Sequence, residues 1–363
     1  MINSFENIPL NEIARPKQWP TLSRRELTPD GFPVYGANGK IGFADAYTHK
    51  EPTIIIGCRG SCGTLHITEP YSYVTGNAMA LDALDTNRVD QQYLFYFLRS
   101  RGFSDVVSGS SQPQITGKGL ARISVPLPGI QEQRRISTML DRADALQDKC
   151  RKNLSEVDTL LRSAFLSRFG HPLEAGDLAP RMQLSELARI DTGKTPPTSD
   201  PENYGDEVPF ITPGDLGSVI SQTKRYISDK GALKIKTVEA GATMVCCIGA
   251  TIGKIGLATK RSAFNQQINA VTWGSRVDPI FGFVALNFFS QKIAQLGSST
   301  TLPILNKSGF SRIEFPVPDY GDQVEFASFV QRVWDAKSKF DEQLEQSEVC
   351  LDALLQREFG RCA

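Results

Sequence analysis

The residues of this chain best suited to chemistry are its glycine-lysine and cysteine groupings. Gly193-Lys-Thr195 ends as a P-loop ends, and Gly249-Ala-Thr-Ile-Gly-Lys254 brings two glycines and a lysine together. A true P-loop cradles phosphates on backbone N–H groups and sets its lysine on the β- and γ-phosphates. Neither stretch has the spacing for that. The glycine required five residues before Gly193 is Ala188, only three residues separate Gly249 from Gly253, and Ile255 stands where Ser or Thr is needed. Gly36-Ala-Asn-Gly-Lys40 is shorter still. Cys58 and Cys62, or Cys246 and Cys247, could turn toward a metal, but His49, His66 and His171 are scattered and no CxxC pair is present. Thr195-Pro-Pro-Thr198 lacks both ends of the Asn/Asp-Pro-Pro-aromatic motif, and there is no Gly-x-Ser-x-Gly elbow. These residue types, so spaced, offer no catalytic centre, no cofactor site and no metal site.

The chain instead contains one unit twice. Arg122-Ile-Ser-Val-Pro-Leu-Pro128 returns as Arg312-Ile-Glu-Phe-Pro-Val-Pro318, a shift of 190 residues. The same shift takes Gln133 to Gln323, Leu161 to Leu351, Phe169-Gly170 to Phe359-Gly360, and Ser61-Cys-Gly63 to Thr251-Ile-Gly253. Solenoid repeats run about 20–50 residues, so this is duplication of a whole domain plus helix. An internal pseudo-two-fold is the expected result, suited to a target of two-part character.

Each copy divides into a globular part and a long helix, giving expected segments 1–129, 130–170, 171–319 and 320–363. Pro126-Leu-Pro128 cannot continue a helix, Gln131 to Phe169 holds no Pro or Gly, and Gly170 with Pro172 supplies the stop. Small or apolar residues recur at Ile136, Met139, Ala143, Leu146, Cys150, Leu154, Val157, Leu161 and Ala164, the three-four spacing of a coiled-coil seam. Phe326, Phe329, Val333, Ala336, Phe340, Leu344, Ser347, Leu351 and Leu354 repeat it. Counterparts such as Leu146 with Ala336 and Ala164 with Leu354 are large against small, which suits an antiparallel pair formed within the chain. Two separate helices, each packed on its own domain, are the alternative. The central segment carries eight basic against six acidic residues and the last segment five against nine, signs that favour pairing. The globular parts read as mixed α/β: Thr53-Ile-Ile-Ile-Gly57 as a buried strand, Gln92–Arg99 as a short helix, and Gly241–Ile248 and Phe281–Leu296 in the corresponding places of the second copy. The copies diverge most before Thr53 and around 81–115.

At 363 residues, two domains each able to bury a core are expected. Apolar content of 40% and charged content of 22% are those of a soluble globular chain. No run approaches the roughly 18 apolar residues of a membrane span, and the N-terminus has no signal-peptide pattern, so a cytoplasmic location is expected. Seven cysteines without a paired pattern fit reduced, mostly buried thiols, with Cys150 and Cys350 on apolar helical faces. A net charge of zero argues against a protein that wraps DNA by itself.

Two variable globular domains, each followed by a long helix with a Pro-x-Pro and a Gln-rich start (Pro126-Leu-Pro-Gly-Ile-Gln-Glu-Gln-Arg-Arg-Ile136), resemble the specificity subunit of type I restriction-modification systems. Val34–Gly42 followed by Thr53–Gly57, and Gly249–Lys254 followed by Asn265-Gln-Gln-Ile268, are similar to that family's target recognition domains. The second helix start departs from the pattern, since Asp319-Tyr-Gly-Asp-Gln-Val324 lacks the Glu and the two Arg of the first. The resemblance implies a mixed α/β (α+β) fold: two target recognition domains related by duplication and joined by two long helices in an antiparallel coiled coil. It implies a non-catalytic reader of double-stranded DNA, bound by two methyltransferase subunits and, through them, by restriction-translocase subunits. S-adenosylmethionine, ATP and magnesium would then belong to the partners. Each domain would read half of a split target, and a 39-residue helix, about 58 Å long at 1.5 Å per residue, would set the gap between the halves. Direct readout needs a few placed polar side chains rather than a basic field. The candidates are Tyr35, Asn38, Lys40, Arg59, Ser61, Ser110, Ser111, Gln112 and Gln114 in the first domain. In the second they are Lys194, Thr212, Asp215, Thr251, Lys254, Gln266, Ser298, Ser299, Thr300 and Thr301. A targeting subunit of another defence complex, a scaffold whose domains bind proteins, and an enzyme with an unrecognised site are the competing readings. Salt dependence of duplex binding separates the DNA reader from the scaffold, and activity of the chain alone would mark the enzyme.

Overall fold

The computed structural model describes residues 5–109, 112–174, 179–297 and 303–360. The chain divides into two compact units, Met1–Lys152 with Phe340–Ala363, and Asn153–Lys339. Each unit therefore takes one globular domain and a portion of both long helices, Ile130–Phe169 and Tyr320–Phe359. The two helices are 40 residues each and start and end 190 residues apart, so the duplication holds residue for residue along them.

In the first unit the β-branched run Ile54–Gly57 is the buried centre of a four-stranded antiparallel sheet, ordered Arg15–Gln18, Ala78–Asp82, Ile54–Gly57, Leu65–Ile67. A second sheet joins the hairpin Phe32–Gly36 and Gly39–Ala44 to the short strand Tyr73–Val74. Helix Gln91–Arg101 is capped by Asp90, whose carboxylate accepts from the Tyr93 amide at 3.0 Å. Strand Glu6–Pro9 pairs with Ser124–Leu127 just before the long helix. The second unit has a five-stranded sheet (Ala188–Thr192, Ile268–Trp273, Thr243–Cys246, Ile255–Ala258, Val219–Ile220) and a four-stranded one around Val208–Ile211 and Ser262–Phe264. The place expected for one helix at Phe281–Leu296 holds two, Pro279–Asn287 and Ser290–Leu296.

Strand register shows where the copies part. Lys17 pairs with Ala80 and Asp191 with Ala270; Tyr35 pairs with Val74 and Ile211 with Phe264. The partner strands keep the offset of 190, while the leading strands sit 174 and 176 residues apart. The second copy therefore carries 14 extra residues between Ile211 and Thr243, and that segment forms Val219–Ile220, Tyr226–Ile227, helix Asp229–Ala232 and Thr237–Val238. This insertion is most of the divergence before Thr53.

The helices pack antiparallel within each unit. In the first, Arg135 lies 3.7 Å from Glu358, Gln147 donates to the Ser347 carbonyl at 3.2 Å, and Arg151 meets Glu348 at 2.9 Å. In the second, Arg168 meets Glu325 at 2.5 Å and Asp322 at 2.8 Å. Ile136, Leu140, Leu351, Leu355 and Phe359 join the first core, and Val157, Leu161, Phe165, Phe326 and Val330 join the second. The inward positions run 136, 140, 143, 147, 150, 154, 157, 161, a regular four-three alternation. Three expectations are corrected by it. Leu146 is 47% exposed because Gln147, one residue on, occupies the inward position; Ala336 and Cys350 are exposed for the same angular reason, flanking inward Val333, Ser347 and Leu351. Residues 190 apart also do not face each other across an antiparallel pair away from its midpoint, so Leu146 with Ala336 and Ala164 with Leu354 are not size-matched partners. Met139, Leu154, Phe329, Phe340, Leu344 and Leu354 are partly buried.

Candidate nucleic-acid interface

Each domain gathers its polar loops at one place, and in the first this follows from a close backbone approach. Gly57 ends the central strand, and a Cβ there would lie 2.3 Å from the Ser61 carbonyl and 3.1 Å from that of Ala37, so only glycine lets the 58–64 loop lie against the hairpin tip. The Thr64 hydroxyl donates to the Ala37 carbonyl across the same junction. On its other side the loop holds the chain at 113–115: Arg59 bridges Gln114, and the Cys62 thiol donates to the Pro113 carbonyl at 3.0 Å. Asn38, Arg59, Gln112 and Gln114 are thereby exposed on one continuous rim, with Ser61 half-buried between them. Arg59 makes no ion pair among the described residues.

The second domain builds a comparable rim from 193–195, 248–254, 265–267 and 303–305. A Cβ on Gly193 would lie 2.2 Å from the Asn265 carbonyl and 2.4 Å from that of Phe264. The Thr195 hydroxyl donates to Gln266 at 2.8 Å, the Gln267 amide to the Ile248 carbonyl at 3.2 Å, and Gly249 N–H to Pro303 at 2.9 Å. Lys194, Lys254 and Gln266 are exposed there, and Thr251 is half-buried beside the Cys246 thiol at 3.5 Å. The glycine of the P-loop-like Gly193-Lys-Thr195 is thus spent on loop-to-loop packing.

Other candidates are engaged elsewhere. Tyr35 is 7% exposed, and its hydroxyl donates to Glu69 at 3.1 Å and accepts from the Glu69 amide at 3.3 Å. Burial pushes that phenol above its usual range. Lys40 pairs with the same carboxylate at 3.1 Å, and the Lys40 and Tyr35 hydrogen bonds hold Glu69 below the usual carboxylate range. Thr212 and Asp215 serve each other: the carboxylate accepts from the Thr212 amide at 2.8 Å and hydroxyl at 2.7 Å, and from Lys224 N–H at 3.1 Å, closing the inserted segment. Ser110, Ser111, Ser298, Ser299, Thr300 and Thr301 lie outside the described residues.

Sequence reading missed what fixes each domain to its long helix. Gln133 is fully buried; its amide nitrogen donates to Arg88 O at 2.9 Å and Pro128 O at 2.8 Å, and its oxygen accepts from Asp90 N–H at 2.9 Å. Gln323 repeats all three bonds with Arg276 O at 3.1 Å, Pro318 O at 2.9 Å and Asp278 N–H at 3.0 Å. One glutamine in each copy thus ties the long-helix start to the cap of the domain helix. The repeated glutamine was visible in the sequence; its partners were not, because all are backbone groups and two of the three lie about 45 residues upstream.

Two paired-loop domains, each clamped to the start of a 40-residue helix, define a bipartite recognition protein. The chain belongs to the family of type I restriction modification DNA specificity domains, whose model matches residues 3–157 and 180–347. It is similar to the type I restriction enzyme HindI specificity subunit of Haemophilus influenzae, 37% identical over 142 residues, which is 37% of this chain and 31% of that protein. The match to that relative spans under a third of its length. The type I restriction enzyme MjaIX specificity subunit of Methanocaldococcus jannaschii is 22% identical over 335 residues, covering 81% of this chain and 76% of that one. In fold, the chain is similar to the type I restriction-modification S subunit from M. genitalium, with a TM-score of 0.69 at 19% identity over 98% of this chain and 96% of the other.

Proposed function

We propose that the chain is the DNA-reading subunit of a type I restriction-modification complex, each domain reading one half of a split target in double-stranded DNA. The observation that carries this is the pair of polar rims, formed from loops of different sequence on domains that the same glutamine ties to their helices: shared frames with unlike surfaces are what an asymmetric two-part target requires. The exposed Asn, Gln, Arg and Lys of the rims are the side chains that read base edges in a major groove. The helices fix the gap between half-sites, since 40 residues rise about 60 Å at 1.5 Å per residue. The chain acts without catalysis. Two methyltransferase subunits dock on it and supply the S-adenosylmethionine chemistry, and restriction-translocase subunits join through them with ATP and magnesium, in the cytoplasm. The test is selection from a random duplex pool by the full chain with its methyltransferase partner. Two short conserved blocks around a constant gap support the reading, and a pool that stays random or yields one uninterrupted block contradicts it.

A further inference from the structure

Next to the strand pair that carries Gln114 lies a cationic pocket that no candidate reading residue lines. It has a volume of about 430 Å³ and is walled by Arg101 at the end of the domain helix, by Asp105 and Ser108, and by Thr116, Lys118 and Arg122 around the short helix Gly117–Ala121. Asp105 neutralises Arg101 at 2.5 Å. Lys118 and Arg122 are exposed and make no ion pair among the described residues, so two positive charges stand uncompensated in a concave site; the Ser108 hydroxyl there donates to the Gln114 carbonyl at 3.3 Å, and the Thr116 oxygen accepts from Gly119 N–H at 3.1 Å. An ammonium and a guanidinium at one concavity are the groups that make charge-assisted hydrogen bonds to phosphate oxygens. The wall at Val107–Ser108 is paired with Gln114–Ile115, and Gln114 bridges Arg59 of the rim. The pocket is therefore one strand pair away from the proposed base-reading loops.

We propose that this pocket seats a phosphate group, and that the phosphate is one of the DNA backbone beside the first half-site. The proposal rests on the DNA-reading function above. A phosphate held by Lys118 and Arg122 carries no base information; it fixes the register in which Asn38, Arg59 and Gln112 meet the bases. The second copy keeps the arginine as Arg312 and the glycine as Gly309 but has Ser308 in place of Lys118; its lysine stands one residue earlier as Lys307, where its charge acts on Asp191. The anchor thus belongs to one half of the molecule, and it orients the complex on an asymmetric site.

The experiment compares the full chain with K118A/R122A, and with K118E as a single exposed change. Duplex binding is measured from 50 to 200 mM salt, and pyrophosphate binding in parallel. Loss of one phosphate contact lowers the slope of log K against log salt by about 0.9, so the wild-type advantage shrinks about threefold across that range. The selected target sequence stays the same. A reduced slope without pyrophosphate binding supports the DNA source. An unchanged slope with pyrophosphate binding lost in the variant keeps the pocket but overturns that source. No change in either overturns the pocket. Salt-independent duplex binding by the wild type would instead sink the DNA-reading function, and the pyrophosphate arm would still decide the pocket.

Discussion

Replacing Gln133 by Leu keeps the volume of the buried side chain and removes both ends of its amide. Three backbone groups then lose partners: the Asp90 N–H and the Arg88 and Pro128 carbonyls, bonded at 2.8–2.9 Å in the native protein. The Gln133 side chain is fully buried, so the dominant loss is the desolvation cost of a donor left unmade, about 1–3 kcal/mol, with the carbonyls adding less because each has a second lone pair. At 1.4 kcal/mol per tenfold, local opening of the helix start rises about 5- to 150-fold. Hydrogen exchange read by peptide reports this directly. Segments 88–94 and 128–136 should exchange faster by that factor, while 276–282 and 318–326, held by Gln323, keep their protection. Gln323→Leu should give the mirror pattern. Equal protection in Gln133→Leu and the native protein would refute the clamp, and uniform loss across both units would show a global effect in place of a local one.

Phe165→Ala removes a ring with no exposed surface that packs on Phe281 and Phe326 at 5.7 and 5.5 Å. It should cost about 3–5 kcal/mol in the second unit, read by denaturant unfolding. Arg59→Ala should weaken discrimination in one half-site by about 1–3 kcal/mol, and Lys254→Ala in the other, each read by competition between singly substituted duplexes; a loss in both half-sites from either change contradicts the one-domain, one-half assignment. Burial holds His66 below its ordinary value of 6.5, so below that pH the unfolded chain takes up a proton that the folded chain refuses. Stability should fall as pH drops through the window under 6.5. His66→Phe should lose that part of the pH dependence, which comparison of unfolding midpoints at pH 7.5 and 5.5 would detect.

The helices were legible almost to the residue, because Pro-rich entry, a glycine stop and an unbroken 190-residue offset are local signals. Their seam was legible only in part. Periodicity assigns a position by apolar character, and Gln147 defeats it: a polar residue holds the inward place by bonding the Ser347 carbonyl, leaving neighbouring Leu146 outside. The second sheet order was not readable, since a 14-residue insertion changes the offset between copies and only strand register exposes it. Among the rim candidates, Asn38 and Gln266 sit on exposed turns and Arg59 on an exposed loop bridge, all in the Gly-rich loops that the sequence marks. Tyr35 fails as a surface group because both faces of its strand are covered, Pro33 to Gly36 all being buried, and a single sequence does not show what covers the second face. The cationic pocket joins residues from 101 to 122 that share no spacing motif, so only folding brings them together.

Methylation mapping of host DNA with this chain present and deleted tests the DNA-reading function most directly. Deletion should erase methylation at a single split motif, two short half-sites around a constant gap, and reintroduction of the chain should restore it. A methylome unchanged by deletion, with the partner methyltransferase expressed, would contradict that function.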